Sequence, residues 1–509
     1  MAHFMWTRAV SALVAVLACL YGLTVLPISA EDAVPGDDYE AKKAAYREAL
    51  MADDVTTDDF LIGSWVSFYS FGVDSYAKQL DQMAAAGINF NIFPRDFGEG
   101  QMHSEGYWRN VETQYAKRNM VYLMNGNMSE ELVSIGVDYA EGKAHCVGYH
   151  VKDEPDGEML ADVGEQVRRY RAADATRYPF VNLLPSYAGT AVLGGTYREH
   201  VARFVEEAGA ENIEYLSHDF YPFYERTTDM NIFADMEVIR SVAYKNGKMK
   251  THAFPQSTSW SGMRMPNIDE MRWHVYGYLA YGFKALTWFN MVCPVGFRES
   301  VISRNGTVRD PALFAAWSDL NWEVRGLSSV LMNLDTVHAY HAGSAPSGVE
   351  RLPKSFFLQP ADAAGRQFIV SVMEPKEGDD EYIMLFNKNY AGGDITASFT
   401  LDAAAGVKWL EYFDPFIGEY IPVEITDGQL TDTFRVGEGK LYRLRRDDPA
   451  AATEAATGDT TTAPAVGETD TAAPAHKGGC RAAVGVGAAT VLTAAAAAAA
   501  LRKEEDERA

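Results

Sequence analysis

Short apolar runs recur along the chain at 61–69, 88–94, 120–125, 146–151, 180–185, 213–222, 249–255 and 285–290. Each is rich in β-branched or aromatic residues and ends in polar or turn residues, the pattern of strands buried on both faces. Amphipathic stretches with helical spacing separate them, as at 74–86, 158–173, 197–208 and 267–282, and a last long helix is expected over 311–332. Asn267 with Glu270 three residues on is a capping signal for one of these starts. Eight strands alternating with helices predict an α/β fold, and eight units predict closure into a (β/α)8 TIM barrel over residues 61–335. A doubly wound open sheet is the rival, but no GxGxxG or GxxxxGK[ST] loop follows any strand. Over 336–445 the texture changes to short alternating segments divided by Gly and Asp, such as 368–373, 382–387 and 398–401. This predicts a small antiparallel β-sandwich.

The ends differ from this middle. Residues 1–30 carry Arg8, an apolar run over 9–26, Pro27 and a small-residue site at Ala30. That order reads as a secretory signal peptide, with a retained membrane helix as the alternative. Residues 31–60 form an acidic helical lead-in. Residues 446–479 are rich in Ala, Thr, Asp and Pro and too poor in large apolar groups to offset their ordering entropy, so a disordered stalk is expected. Residues 482–501 carry no charge and are followed by Arg502 and Lys503. A C-terminal transmembrane anchor with a cytoplasmic tail is expected over 480–509, against an Ala-rich soluble helix. The chain is therefore expected to be secreted and held at the cell surface.

The formal charge of −25 argues against nucleic acid and against an anionic membrane surface as partners. Cys146 and Cys293 remain once Cys19 and Cys480 are assigned to the ends. They are expected in strands on opposite sides of the barrel, as buried thiols without metal spacing.

Barrel active sites form at the carboxyl ends of the strands. The fourth unit ends His150-Val151-Lys152-Asp153-Glu154-Pro155. Strict alternation points Gly148, His150, Lys152 and Glu154 toward the barrel mouth and turns Asp153 away. Glu154 is thus the first candidate catalytic acid, although Asp-Glu-Pro also suits a helix start. The sixth unit ends Ser217-His218-Asp219-Phe220-Tyr221, and Asp219 shares parity with Tyr215, Ser217 and Tyr221. It is the candidate second carboxyl or a clamp for sugar hydroxyls. Sugar rings stack their CH faces on aromatic planes and pair their hydroxyls with polar groups. Trp65, Tyr221, Trp260 and Trp288 are candidates for the first role, and Arg95, Asp96, Asn182, His218, Gln256 and Glu299 for the second. His150 and His218 stand without an HxH pair, so no metal or other cofactor is expected.

The segments GYHVKDEPD, SHDFYPF and EMRWHVYGYLAYGFKALTWFN, followed by the sandwich, resemble a beta-galactosidase-type branch of bacterial glycoside hydrolases over roughly residues 60 to 445. The resemblance implies a retaining barrel glycosidase with Glu154 as acid/base at the end of strand four and Trp288 as the strand-eight aromatic. It also implies a glutamate nucleophile at the end of strand seven, where this chain has Gln256 and Ser257. Asp219, or Glu299 after strand eight, could supply that carboxyl; otherwise the mechanism is substrate-assisted or catalysis is lost. The leading expectation is hydrolysis of O-glycosidic bonds in an oligo- or polysaccharide outside the cell. The rival is a non-catalytic carbohydrate-binding surface protein on a degenerate barrel.

Overall fold

The computed structural model describes residues 37–65, 73–92, 104–125 and 130–447. The signal peptide, stalk and C-terminal span expected from the sequence lie outside these residues, as do Arg95 and Asp96. Among the described residues no helix is long and apolar enough to cross a membrane. The expectation of a transmembrane helix is corrected accordingly.

Helix α1 (Asp37–Ala52) precedes the barrel. The barrel then runs β1 (Leu61–Ser64), α2 (Val73–Ala85), β2 (Phe90–Ile92), α3 (Glu105–Ala116), β3 (Val121–Asn125), α4 (Glu130–Ala140) and β4 (Cys146–Asp153). It continues α5 (Leu160–Ala173), β5 (Tyr178–Leu183), α6 (Tyr197–Ala208), β6 (Tyr215–Asp219), α7 (Ile232–Lys245), β7 (Lys250–Phe254), α8 (Ile268–Ala280), β8 (Ala285–Trp288) and α9 (Pro311–Gly326). The strands pair in chain order, all parallel, and β8 returns to β1 to close the ring. The capping signal forms as expected: Asn267 accepts from the Glu270 amide and the Glu270 carboxylate accepts from the Asn267 amide, both at 3.0 Å.

Two apolar layers follow from strand alternation. Leu61, Phe90, Leu123, Phe180, Tyr215 and Phe254 fill the inside of the ring. Ile62, Tyr122, Tyr149, Val181, Leu216 and Leu286 pack outward under the helices. Cys146 and Cys293 are free and buried. Cys146 opens β4, but Cys293 lies in the loop beyond β8 and not in a strand, a correction to the expected placement.

The sandwich follows. One sheet has six strands in the order β9 (Leu334–His341), β11 (Phe368–Pro375), β12 (Glu381–Asn387), β17 (Gly439–Arg445), β14 (Trp409–Asp414) and β15 (Glu419–Glu424). The other joins β10 (Leu358–Pro360), β13 (Ile395–Leu401) and β16 (Gln429–Phe434). Phe368, Leu385, Phe399, Leu410 and Phe434 are buried together in the sandwich core. The six-stranded sheet also rests on the barrel. The Trp273 indole of α8 donates to the Lys388 carbonyl at 2.9 Å, and the Arg435 guanidinium meets buried Glu323 of α9 at 2.6 Å. Helix α1 ties the same sheet from its far edge: the Tyr39 hydroxyl donates to Asp414 and Lys42 pairs with Glu419, each at 3.0 Å.

Candidate active site

Strand β4 departs from simple alternation. Its register with β5 shifts between His150 and Lys152, so Val151 is an extra residue in the ladder. Such a bulge re-aims the side chains that follow it. His150 faces inward, its ring 5.2 Å from that of Trp65, and Val151 joins the outer apolar layer. Asp153 then falls opposite Asn182 and its Oδ1 accepts from the Asn182 amide at 3.3 Å. The expectation that Asp153 points away is therefore corrected: the bulge turns it toward the site.

Glu154 follows in the left-handed region at φ 44°. A non-glycine residue held there costs about 1–3 kcal/mol, which surrounding contacts must offset. Pro155 disfavours the right-handed helical region for the residue before it, and the Glu154 amide donates to the Asn182 carbonyl at 2.9 Å. These two constraints let consecutive carboxyls, Asp153 and Glu154, serve one site.

Asp219 ends β6 and is almost fully buried. The Glu154 and Asp219 carboxyls lie close enough to shift each other's proton affinity. Two neighbouring carboxyls resist being charged together, so each is held toward its protonated form. Burial raises the Glu154 pKa well above the usual carboxyl range, the negative charge of Asp219 and the bond to it add to this, and Lys152 pulls back. Burial, then the charge of Asp153, push Asp219 up to about 7 against hydrogen bonds from Tyr221, Glu154 and Asn182. Burial and the Glu154 charge raise Asp153 to about 8. Its bond from Asn182 and the charge of Lys152 act in the other direction.

Aromatic rings wall this cluster. Tyr221 meets Trp260 edge-on at 5.2 Å and lies 4.9 Å from Phe289, and Trp260 is 5.4 Å from Phe289. Trp260 and Trp65 are half-buried, so each keeps some surface open. Tyr187, in the loop after β5, is close enough to Asp219 and Glu154 to feel both charges.

Of the residues expected from sequence, Trp65, Glu154, Asn182, Asp219, Tyr221 and Trp260 come together at the strand ends. Four others are engaged in contacts elsewhere in the fold. His218 is fully buried between β6 and the helices, with its Nδ1 3.1 Å from the Tyr197 hydroxyl and its ring beside those of Tyr278 and Phe283. Trp288 is likewise turned outward, its indole donating to Asn321 of α9 at 2.8 Å. Gln256 is buried and both ends of its amide are spent on backbone. Its Oε1 accepts from the Phe223 amide, and its Nε2 donates to the carbonyls of Thr258 and Arg264. Glu299, partly exposed in the loop after β8, pairs with Arg309 at 3.1 Å and lies opposite Ser259 of the loop after β7. Asp153, Tyr187 and Phe289 are site residues that the alternation rule did not select.

No family model matches the chain, and no curated protein matches it. Among solved structures, an alpha-amylase from Geobacillus thermoleovorans in complex with acarbose is similar at 9% identity and TM-score 0.47, covering 77% of this chain and 99% of that one. A GH27 β-L-arabinopyranosidase from Geobacillus stearothermophilus has 12% identity and TM-score 0.42, covering 76% and 97%. A beta-galactosidase from the psychrophilic Marinomonas ef1 has 10% identity and TM-score 0.41, covering 54% and 62%. At these scores the likenesses carry no argument about activity. The fold rests on the strand pairing itself: a closed ring of eight parallel strands followed by antiparallel sheets, the architecture implied by the resemblance to barrel glycoside hydrolases.

Proposed function

We propose that the chain hydrolyses O-glycosidic bonds of an oligo- or polysaccharide outside the cell. The observation that carries this reading is the convergence of the Glu154 and Asp219 carboxyls at the mouth of the barrel, where each shifts the other's proton affinity. A carboxyl whose pKa is raised by burial, as Glu154's is, suits a general acid, and Asp219 is the second carboxyl beside it. A bound substrate presents its glycosidic oxygen to the Glu154 proton. The Asp219 carboxylate attacks the anomeric carbon as the carbon–oxygen bond breaks and the leaving oxygen takes the proton from Glu154. Water then attacks the glycosyl ester, gives its proton to Glu154 and releases Asp219 as a carboxylate.

The influence of the two carboxyls on each other's proton affinity marks them as near neighbours. Inverting enzymes need about 6.5–9.5 Å for that water, whereas retaining enzymes bring the pair to about 5–5.5 Å. Their proximity favours retention. The walls formed by Trp260, Tyr221 and Trp65 suit the CH faces of a sugar ring. The test is to incubate the chain with a panel of aryl glycosides and oligosaccharides and to follow the first-formed anomer by proton NMR. Retained configuration supports the reading, and inverted product removes Asp219 as nucleophile.

One observation favours a second reading. The end of strand seven, where the resemblance places a carboxylate nucleophile, holds Gln256 with its amide committed to backbone. A carbohydrate-binding protein without turnover fits that feature. It would bind oligosaccharides of the panel and release no product.

A further inference from the structure

Four inward side chains lie in one straight row across the barrel. Asp153, Asn182, Ser217 and His252 are successive cross-strand partners on β4, β5, β6 and β7. Thr287, two residues beyond the β8 partner of His252, extends the row through its side chain. Gly63 on β1 leaves room for it, because a Cβ there would come within 2.8 Å of the Thr287 hydroxyl. Contacts join the row from end to end. The Thr287 hydroxyl is 2.7 Å from His252 Nε2, His252 Nδ1 is 2.8 Å from Ser217 Oγ, Ser217 Oγ is 3.1 Å from Asn182 Oδ1, and Asn182 Nδ2 is 3.3 Å from Asp153 Oδ1. Asn182, Ser217, His252 and Thr287 are each fully buried or nearly so.

The proton positions follow link by link. Asn182 presents its amide nitrogen to Asp153, so its carbonyl faces Ser217 and must receive the serine proton. Ser217 Oγ, having given that proton, accepts from His252 Nδ1. The imidazole is enclosed by the rings of Phe180, Tyr215 and Phe254. Burial lowers its pKa well below the usual histidine range, so the ring is neutral and carries one proton only. With that proton on Nδ1, Nε2 accepts from Thr287. Every link thus donates in the same direction, toward Asp153, and aligned bonds of this kind polarise one another.

We propose that Thr287, His252, Ser217 and Asn182 form a one-way hydrogen-bond chain that positions the Asp153 carboxyl as a third functional group of the site, beside Glu154 and Asp219. The chain explains why polar groups occupy this layer of the barrel interior where apolar side chains would pack more cheaply. It assigns His252 and Ser217 as positioning residues that act through Asn182 and need not touch the substrate. The kinetic part of this proposal rests on the glycosidase reading, whereas the direction of the chain does not.

The direction is read from the nitrogen-15 shifts of the imidazoles in the full chain, with His252 assigned by the signal missing in His252→Asn. The proposal expects the Nδ1–H tautomer; the Nε2–H tautomer would reverse every link and overturn it, whether or not any glycoside is cleaved. The coupling is read from Ser217→Ala, which breaks the chain without changing charge. kcat should fall about tenfold or more with KM within about threefold, as small misplacements of reacting groups do. Ser217→Thr keeps the hydroxyl and should restore most of the loss. Wild-type kcat in a folded Ser217→Ala protein would overturn the positioning role. If that variant does not fold, His252→Asn gives the second measurement: its amide can still donate to Ser217, so activity near wild type supports the chain, provided His252→Phe is at least tenfold lower. Equal activity in those two would overturn it.

Discussion

Glu154 at the end of β4 and Asp219 at the end of β6 face each other across the mouth of a closed barrel, each shifting the other's proton affinity. Burial, then the charge of Asp219, raises the Glu154 pKa well above the usual carboxyl range. An acid and a second carboxyl are thereby distinguished by environment alone.

The role of Asp219 separates kinetically. Asp219→Asn should lower kcat at least a hundredfold while the barrel stays folded, since the side chain keeps its size. Added azide should restore turnover of an activated glycoside and give a glycosyl azide of inverted configuration. A rise in KM with kcat intact would make Asp219 a sugar clamp instead. Glu299→Gln should stay within about threefold of wild type, because Glu299 is committed to Arg309. Loss in Glu299→Gln with full activity in Asp219→Asn would move the role to the strand-eight loop.

The carboxyl cluster also sets a pH dependence of stability. Asp153 and Asp219 bind protons more tightly folded than unfolded, with pKa values raised to about 8 and about 7. Their contribution is fully favourable below an unfolded pKa of about 3.9 and is lost as the pH rises through 7 and 8. Asp153→Asn should therefore raise Tm by at least about 2 °C at pH 9 and give no gain at pH 4. A scan showing a lower Tm for the variant at pH 9 would mean that Asp153 is not held against its charge.

Trp260 offers a test of the aromatic wall. It contacts Tyr221, Phe289 and Phe297 but remains half-buried, so its removal exposes a subsite without emptying the core. Trp260→Ala should raise KM about tenfold, equivalent to roughly 1.4 kcal/mol, and leave kcat within about threefold. Unchanged KM on every substrate tested would take Trp260 out of the binding surface.

A chain cut to residues 31–446 should fold and keep full activity. Helix α1 is bound to the sandwich through Tyr39 and Lys42, and the Tyr46 hydroxyl donates to the Gly326 carbonyl at 2.9 Å, so the lead-in is part of the folded unit. Cutting further, to begin at residue 55, should lower Tm by several degrees. Insolubility of the 31–446 chain, with the full chain well behaved, would contradict this boundary.

The periodic parts of the fold were legible because each strand is buried on both faces and each helix on one. The runs expected at 146–151 and 180–185 overlap β4 and β5. Strict alternation also worked where the ladder is regular: Tyr215, Ser217 and Asp219 of β6 all face inward. By the same rule His218, their neighbour, faces outward, so its assignment to the sugar site conflicted with the parity that selected Asp219. Trp288 fails for the same reason beside inward Thr287. Asp153 was lost because the bulge at Val151 breaks the period and leaves no local sign in composition. Gln256 lies beyond the end of β7, where no periodicity applies and only the hydrogen bonds to Phe223, Thr258 and Arg264 show its structural use.

The most direct measurement is kcat of Glu154→Gln on an unactivated glycoside, with binding followed separately by calorimetry. The substitution keeps size and hydrogen bonding and removes the transferable proton. General acid catalysis typically contributes about 10²–10⁴-fold, so kcat should fall by at least about a hundredfold while oligosaccharide binding survives. Turnover within about tenfold of wild type would contradict the assignment of Glu154 as the acid.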